Sequence, residues 1–125
     1  MEGKILILIA MIFCHIVDDY YLQGILASMK QKVWWEENLP DPLYKYDYIF
    51  ALIAHGFSWT FSIMLIPTIY IVLCGGTWYP MLFLGNMMLH SYIDDLKANK
   101  KKINLWCDQL LHMMQIIITW WILLG

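Results

Sequence analysis

The sequence predicts an all-α, polytopic membrane protein: one domain over residues 1–125 that folds as a bundle of four transmembrane helices. Hydrophobic residues make up 61% of the chain and charged residues only 14%, which is too apolar for an ordinary soluble domain. Four apolar stretches approach the roughly 20 residues that cross a bilayer. Each stretch contains one histidine. The four stretches lie near residues 4–29, 48–74, 78–97 and 104–124.

The first stretch is interrupted by polar side chains. Asp18, Asp19 and Gln23 would insert poorly if they faced lipid, so we expect them to face the partner helices. Although this apolar start looks like a signal peptide, no small-residue cleavage site follows it. We therefore predict an uncleaved membrane helix.

Residues 30–47 differ in composition and predict an interfacial loop. Tryptophan and tyrosine are abundant there, as at membrane–water interfaces. Pro40 and Pro42 exclude one continuous helix. The loop is either a surface connector or a lid. Further along, we expect Pro67 to kink the second helix, Gly75-Gly76 to form a turn, and Pro80 to start the third helix.

The lysines predict the topology. Seven of the eight lie between the first and second stretches or between the third and fourth, and only Lys4 lies on the other side. Cytoplasmic loops of inner-membrane proteins carry the excess of positive charge. We therefore expect both lysine-bearing loops in the cytoplasm and both termini outside, in a bacterial inner membrane.

The histidines and aspartates predict a metal site. Three histidines have an aspartate four residues away, which puts both side chains on one helix face. At about 1.5 Å per residue, all these groups fall in the cytoplasmic half of one bundle. Ionisable groups in membranes usually face the interior and serve a function. The candidate metal ligands are His15, Asp19, His55, His90, Asp94, Asp108 and His112.

Imidazole with carboxylate favours zinc first, with manganese or iron as alternatives. Seven donors exceed what one catalytic zinc needs, so they suit either two ions or one ion with aspartates that orient the histidines. Asp19, Asp94 and Asp108 are candidate catalytic bases, and Gln23 and Gln109 are candidates to orient water or substrate. Lys97 would contact an anionic group, or would extend its ammonium to the membrane surface.

Other site classes are less consistent with the sequence. There is no arginine, so no bidentate phosphate clamp can form. No basic stripe suggests nucleic-acid binding. Three widely spaced cysteines argue against a disulfide framework or zinc ribbon, and we expect them to be buried thiols. Bis-histidine haem would leave the aspartates unexplained.

Four motifs in order resemble a bacterial and phage membrane family known as domain of unknown function 3307. His15 to Gln23 followed by Lys30 resembles its H-x-x-x-D-F-x-x-Q…K opening, with Tyr20 in place of the usual Phe. His90 to Lys97 is similar to its H-x-x-x-D-x-x-K motif, Asp108 to His112 to its D-Q-x-x-H motif, and His55 to its central histidine. The resemblance favours Asp19 and Asp94 over their neighbours Asp18 and Asp95 as functional carboxylates. In style the pattern is similar to predicted inner-membrane metal-dependent hydrolases, by analogy only.

The leading hypothesis from the sequence is a metal-dependent hydrolase. It would cleave an ester or phosphoester of a lipid or amphiphilic substrate at the cytoplasmic leaflet, with one or two bound ions. One alternative is a metal-ion or proton transporter that uses the same groups. Another is an interaction protein stapled by its metal, such as a phage-encoded modulator of a host membrane complex. The sequence leaves open whether the chain forms a homo-oligomer.

Overall fold

The computed structural model describes all 125 residues as helices joined by short connections, with no β-strand. A π-helical turn covers Asp18–Leu22 and a 3₁₀ turn covers Pro42–Tyr44. Six α-helices account for most of the rest: α1 Glu2–Val17, α2 Leu26–Met29, α3 Lys32–Asn38, α4 Asp47–Cys74, α5 Pro80–Ala98 and α6 Leu105–Leu124.

The four long helices form a ring in which α1 packs on α4, α4 on α5, α5 on α6, and α6 on α1. The first turn of α1 meets the last turn of α6: the Lys4 ammonium donates to the Leu124 carbonyl, and Trp120 Nε1–H donates to the Lys4 carbonyl at 2.7 Å. Therefore α1 and α6 run in opposite directions. Contacts at two levels of each pair show the same for α4 with α5 and for α5 with α6. We call the end with these contacts and Gly75 the terminal end, and the end with Lys30 and Lys97–Lys102 the lysine end.

Three helical segments are long and apolar enough to cross a membrane: Glu2–Leu22, Pro42–Cys74 and Leu105–Leu124. Their outer faces carry large exposed side chains such as Phe50, Phe57 and Phe61 on α4, which suit contact with lipid. The α5 helix is not among the three, because Asp94, Asp95 and Lys97 near its end lower its mean hydropathy.

The bundle interior differs in polarity between its two ends. Towards the terminal end it is a hydrophobic core formed by Ile7, Met11, Trp59, Ile63, Met64, Ile71, Ile116, Leu123 and Leu124. Towards the lysine end the buried side chains are mostly polar or charged, including all four histidines. Such a polar interior is stable only if its groups are paired or hold an ion.

The first stretch is not the single helix over 4–29 that the sequence predicted. Regular α-helix ends at Val17, the π-helical turn follows, and Gly24 adopts a left-handed conformation with φ of 56° before α2. Glycine tolerates that conformation because it has no Cβ. The loop predicted over 30–47 also contains α3 and the 3₁₀ turn.

The other long helices lie within two residues of the predicted bounds, and α4 runs through Pro67 without interruption. The thiols of Cys74 and Cys107 are exposed and that of Cys14 is partly exposed, so the expectation of three buried cysteines was wrong. Two of the cysteines lie near helix ends, where no neighbouring helix covers them.

A close approach of α4 and α5 brings two of the histidines together. A Cβ built on Gly56 would lie 2.7 Å from the Met87 carbonyl oxygen and would also collide with the Ser91 hydroxyl. The Ser91 hydroxyl oxygen lies 3.0 Å from the carbonyl oxygen of Leu52, a polar contact typical of helix pairs in membranes. The rings of His55 and His90 consequently lie 5.0 Å apart between centroids.

Candidate metal centre

The histidines from all four long helices meet in the polar half of the bundle, as their depth in the sequence predicted. Each histidine is at most 1% exposed. Asp94 and Asp108 are buried beside them, while Asp19 keeps a 9% exposed side chain. The structure therefore concentrates the predicted donors in one region rather than along a path across the bundle.

One group of donors comprises Asp19, His55 and His90. His55 Nε2 lies 3.0 Å from Asp19 Oδ1, and His90 Nε2 lies 3.8 Å from the same oxygen. Donor atoms bound to one tetrahedral ion at about 2.0–2.1 Å are roughly 3.3 Å apart. These atoms can therefore hold one ion with small side-chain movements.

A second group shares His90 and adds Asp94 and His112. Asp94 Oδ2 lies 3.6 Å from His90 Nε2 and 3.5 Å from His55 Nε2. Its other oxygen, Oδ1, lies 3.3 Å from His112 Nε2. The Asp94 carboxylate thus stands between the two groups and can serve either one ion or two.

His90 provides the best test of whether these residues fit a metal. The ring is completely buried, and neither Nδ1 nor Nε2 has a hydrogen-bond partner. Leaving a buried polar group unsatisfied costs about 1–3 kcal/mol. The ring packs against both Trp59 and His112, at 4.2 and 4.1 Å between centroids, and its Nε2 faces two carboxylates. This placement is suited to ligation through Nε2. The donor set therefore fits a divalent ion.

His15, a predicted ligand, lies outside both donor groups. Its Nδ1 accepts a 2.7 Å hydrogen bond from the Trp59 indole, and its Nε2 lies 2.9 Å from Gln109 Oε1. Because indole is only a donor, Nε2 must carry the proton of His15 and donate it to Gln109. Both ring nitrogens are therefore occupied, and His15 orients Gln109, whose amide nitrogen donates to Asp108 at 2.9 Å.

Asp18, which the sequence placed outside the functional set, is fully buried. The Ser58 hydroxyl donates to its Oδ1 at 2.6 Å, and its unpartnered Oδ2 lies 3.7 Å from the unpartnered Nδ1 of His55. The π-helical turn explains the correction: it holds one residue more per turn than an α-helix, so Asp18 and Asp19 both face inward. A carboxylate behind a histidine commonly orients that ring towards a metal.

Two lysines enter the cluster. Lys30, predicted only as a topology signal and as part of a family motif, is 6% exposed and lies 2.8 Å from Asp94 Oδ2. Lys97 lies 3.0 Å from Asp108 Oδ2. Nothing in helical periodicity identified Lys30, because it lies past the break at Gly24; its place in the family motif was the one available signal.

The cluster carries excess negative charge. Its four carboxylates and two ammonium groups leave two negative charges when the imidazoles are neutral. Uncompensated charge in a bilayer is expensive. One divalent cation or two protons would balance the cluster. The four carboxylates are Asp18, Asp19, Asp94 and Asp108, and the ammonium groups are Lys30 and Lys97.

The remaining predicted residues are at the edge of the cluster. Gln23 donates to the backbone carbonyl of Asp19 at 2.9 Å, while its own Oε1 has no partner. Asp95 pairs with Asn99 at 2.7 Å on the outside of α5, in agreement with its exclusion. Trp59 was missed, because a tryptophan among apolar residues carries no sequence signal of a polar partner.

No protein-family model, curated protein or solved structure matches this chain. The resemblance to domain of unknown function 3307 therefore stays a prediction.

Proposed function

We propose that this chain is a membrane-embedded, metal-dependent hydrolase that cleaves an ester or phosphoester of a lipid or amphiphile. The observation that carries the proposal is His90, a buried imidazole with two unpartnered nitrogens facing Asp19 and Asp94. Zinc is the first candidate ion, with manganese or iron as alternatives. His55, His90, Asp19 and Asp94 would hold it, and His112 would join if a second ion binds.

A bound zinc ion supplies a water made acidic enough to act as a nucleophile near neutral pH and polarises the group to be cleaved. Asp19 would face the ion through Oδ1, which lies near His55 and His90. Its other oxygen is the candidate base, because Asp19 borders a cavity open at the lysine end. It would accept a proton from water while the hydroxyl adds to the carbonyl carbon or phosphorus. The bond to the alcohol oxygen then breaks, and that oxygen takes up the proton from Asp19.

Lys97, Gln23 and Gln109 would assist without holding metal. Lys97 lies beside Asp108 at the rim of this cavity and would attract an anionic group. Gln23 also lines the cavity, and its free Oε1 can accept a hydrogen bond from water or substrate. Gln109 fixes Asp108 and, at 3.5 Å, approaches Asp19 Oδ2.

We further propose that α5 is the fourth transmembrane helix. The first turn of α1 meets the last turn of α6, which requires an even number of crossings. The polar residues that reduce the hydropathy of α5, including Asn86, His90 and Asp94, are buried in the bundle. The excess of lysine at one end supports a cytoplasmic position for that end in a bacterial inner membrane, with both helical termini outside.

A transporter or proton relay is the main rival. The imidazoles of His90 and His112 stack, and the ring of His55 meets that of His90 edge-on. Such a row of imidazoles would suit proton transfer. The hydrophobic core weighs against this, because most of its nine apolar side chains lie between the histidines and the terminal end. The buried polar side chains in that half, Asn86, Gln115 and Thr119, hydrogen-bond within their own group. The described cavity beside the cluster opens at the lysine end, which supports access of a substrate from that side.

Metal content measured by inductively coupled plasma mass spectrometry on detergent-purified protein is the first experiment. Wild type should carry one or two equivalents of zinc, manganese or iron, and His90→Ala should lose them. His15→Gln is the matched control: glutamine can still donate to Gln109, so metal content should stay near wild type.

Hydrolysis of phospholipid and phosphoester substrates by the loaded protein would then test the reaction. Metal lost equally in both variants, or absent from wild type after reloading, would contradict the site. Metal without turnover but with ion flux in proteoliposomes would favour the transporter. If the protein needed metal for folding but showed neither hydrolysis nor ion flux, an interaction protein in which the metal only stabilises the bundle would be favoured.

A further inference from the structure

A cavity of about 580 Å³ opens at the lysine end beside the metal cluster. It lies between the π-helical turn, α2 and the end of α5. Its walls carry three lysines but only one carboxylate. The polar residues that line it are Asp19, Gln23, Lys30, Gln31, Lys97 and Lys101. A cavity of this size accommodates the polar part of a small amphiphile.

Two of the lysines are shared between the cavity and the metal donors. Lys30 pairs with the Asp94 oxygen that lies 3.5 and 3.6 Å from His55 and His90. Lys97 pairs with Asp108, whose other oxygen lies 3.4 Å from His112. A divalent ion held by Asp94 would compete with the Lys30 ammonium for that carboxylate. The buried Lys30 ammonium would then need another anion.

The negative charge of the cluster implies that the metal ion binds before an anion does. Without metal the excess of two negative charges would repel an anion from the cavity, whereas one divalent cation neutralises the cluster. Three ammonium groups would then face the cavity, and lysine is a common phosphate-binding residue.

We propose that this cavity binds a phosphate group, and that Lys30 and Lys97 recognise it only when the metal site is occupied. The inference rests on the metal centre proposed above and narrows its substrate to a phosphoester. Asp19 both lines the cavity and belongs to a metal-donor group, so a phosphate bound there would lie next to the metal donors.

Isothermal titration calorimetry with inorganic phosphate on the full-length, detergent-solubilised protein tests the proposal. Zinc-loaded protein should bind phosphate at least about tenfold more tightly than chelator-treated protein. Lys30→Gln and Lys97→Gln should each weaken phosphate binding by roughly tenfold, the effect of one charge-assisted hydrogen bond. Metal content, measured on the same samples, should not fall in either variant.

Lys102→Gln is the matched control, since Lys102 is an exposed lysine in the connection between α5 and α6 and does not line the cavity. Its phosphate affinity should equal that of wild type. Metal-loaded wild type that binds no phosphate, or lysine variants that bind it normally, would overturn this inference and leave the metal site intact. A wild type that binds no metal would overturn both.

Two sources of the phosphate can be separated by competition. Short-chain phosphatidic acid and glycerol 3-phosphate present similar phosphomonoesters with and without acyl chains. Displacement at lower concentrations of phosphatidic acid would assign a lipid headgroup, whereas equal displacement would assign a soluble phosphoester. Failure of both to displace inorganic phosphate would contradict a phosphoester site.

Discussion

At the scale of single residues, the roles of the aspartates follow from their contacts. Asp19 Oδ1 lies 3.0 Å from Nε2 of His55, whereas Asp18 Oδ2 lies 3.7 Å from Nδ1 of the same ring. Asp95 contacts only Asn99 and Lys100, outside the cluster. Three carboxylates that the sequence places in similar local patterns are therefore a candidate ligand, an orienting group and a surface residue.

Replacing these aspartates by asparagine, one at a time, should lower the affinity for zinc to different extents. Asp19→Asn removes an anionic ligand and should weaken binding more than a hundredfold. Asp18→Asn keeps an acceptor for Ser58 but removes the charge behind His55, and should cost about 10–100-fold. Competition with a zinc chelator would measure these constants.

Asp95→Asn is the control and should bind zinc like wild type. If Asp18→Asn behaved like the control, the orienting role of Asp18 would be wrong.

Much of the site could be predicted from residue spacing. His90 with Asp94 and Asp108 with His112 share helix faces, because α5 and α6 are regular helices. Lys30 could not be placed in this way, because its position depends on how the chain turns after Gly24. Asp18 was misplaced because regular α-helical winding was assumed where the helix widens.

At the scale of helices, the contact between α4 and α5 determines whether the donors meet. Gly56 is adjacent to His55 and allows the α5 backbone to approach. Ser91 is adjacent to His90 and contacts the α4 backbone. The residues that bring the helices together are thus the direct neighbours of those that would hold the ion.

Gly56→Ala should separate α4 and α5 and disturb the site. Forcing an extra methyl group into a well-packed contact typically costs about 1–3 kcal/mol, and metal content should fall because His55 moves away from His90. Thermal unfolding in detergent and metal analysis would measure the two effects.

Gly85→Ala on α5 is the matched control, since a Cβ there meets nothing within 4 Å. It should leave metal content unchanged and stability equal or slightly higher, because alanine favours helix over glycine. Equal damage from both alanines would show that the close approach is not what positions the histidines.

The sequence predicted the later helices well and the first segment poorly. The bounds of α4, α5 and α6 follow from long apolar runs punctuated by Pro80, Gly75 and the helix-capping Asn104. The first segment contains a π-helical turn and a glycine break, and neither changes the composition of the segment enough to be seen in hydropathy.

At the scale of the whole molecule, the proposal of four crossings can be tested independently of metal. Thr77, in the connection between α4 and α5, and Lys102, between α5 and α6, are both exposed and lie at opposite ends of α5. Four crossings place them on opposite sides of the membrane.

The test uses a chain whose three cysteines are replaced by serine and that carries either Thr77→Cys or Lys102→Cys. The two single cysteines should react with an impermeant maleimide from opposite sides of the membrane. In intact bacterial spheroplasts only Thr77→Cys should be labelled, and Lys102→Cys only after lysis. Labelling of both from one side would mean that α5 does not cross the bilayer.

The π-helical turn adds about one residue to the winding of the first membrane segment. The inward-facing positions after the turn are therefore shifted by one residue relative to those before it. A chain shortened by one residue between Asp18 and Leu22 would still cross the bilayer, yet regular winding would turn one aspartate towards the lipid. The length of this turn therefore determines whether one or both of its aspartates face the interior. Deletion of one residue would hardly alter a hydropathy profile, yet it would change the number of carboxylates in the interior and so the negative charge that attracts a cation.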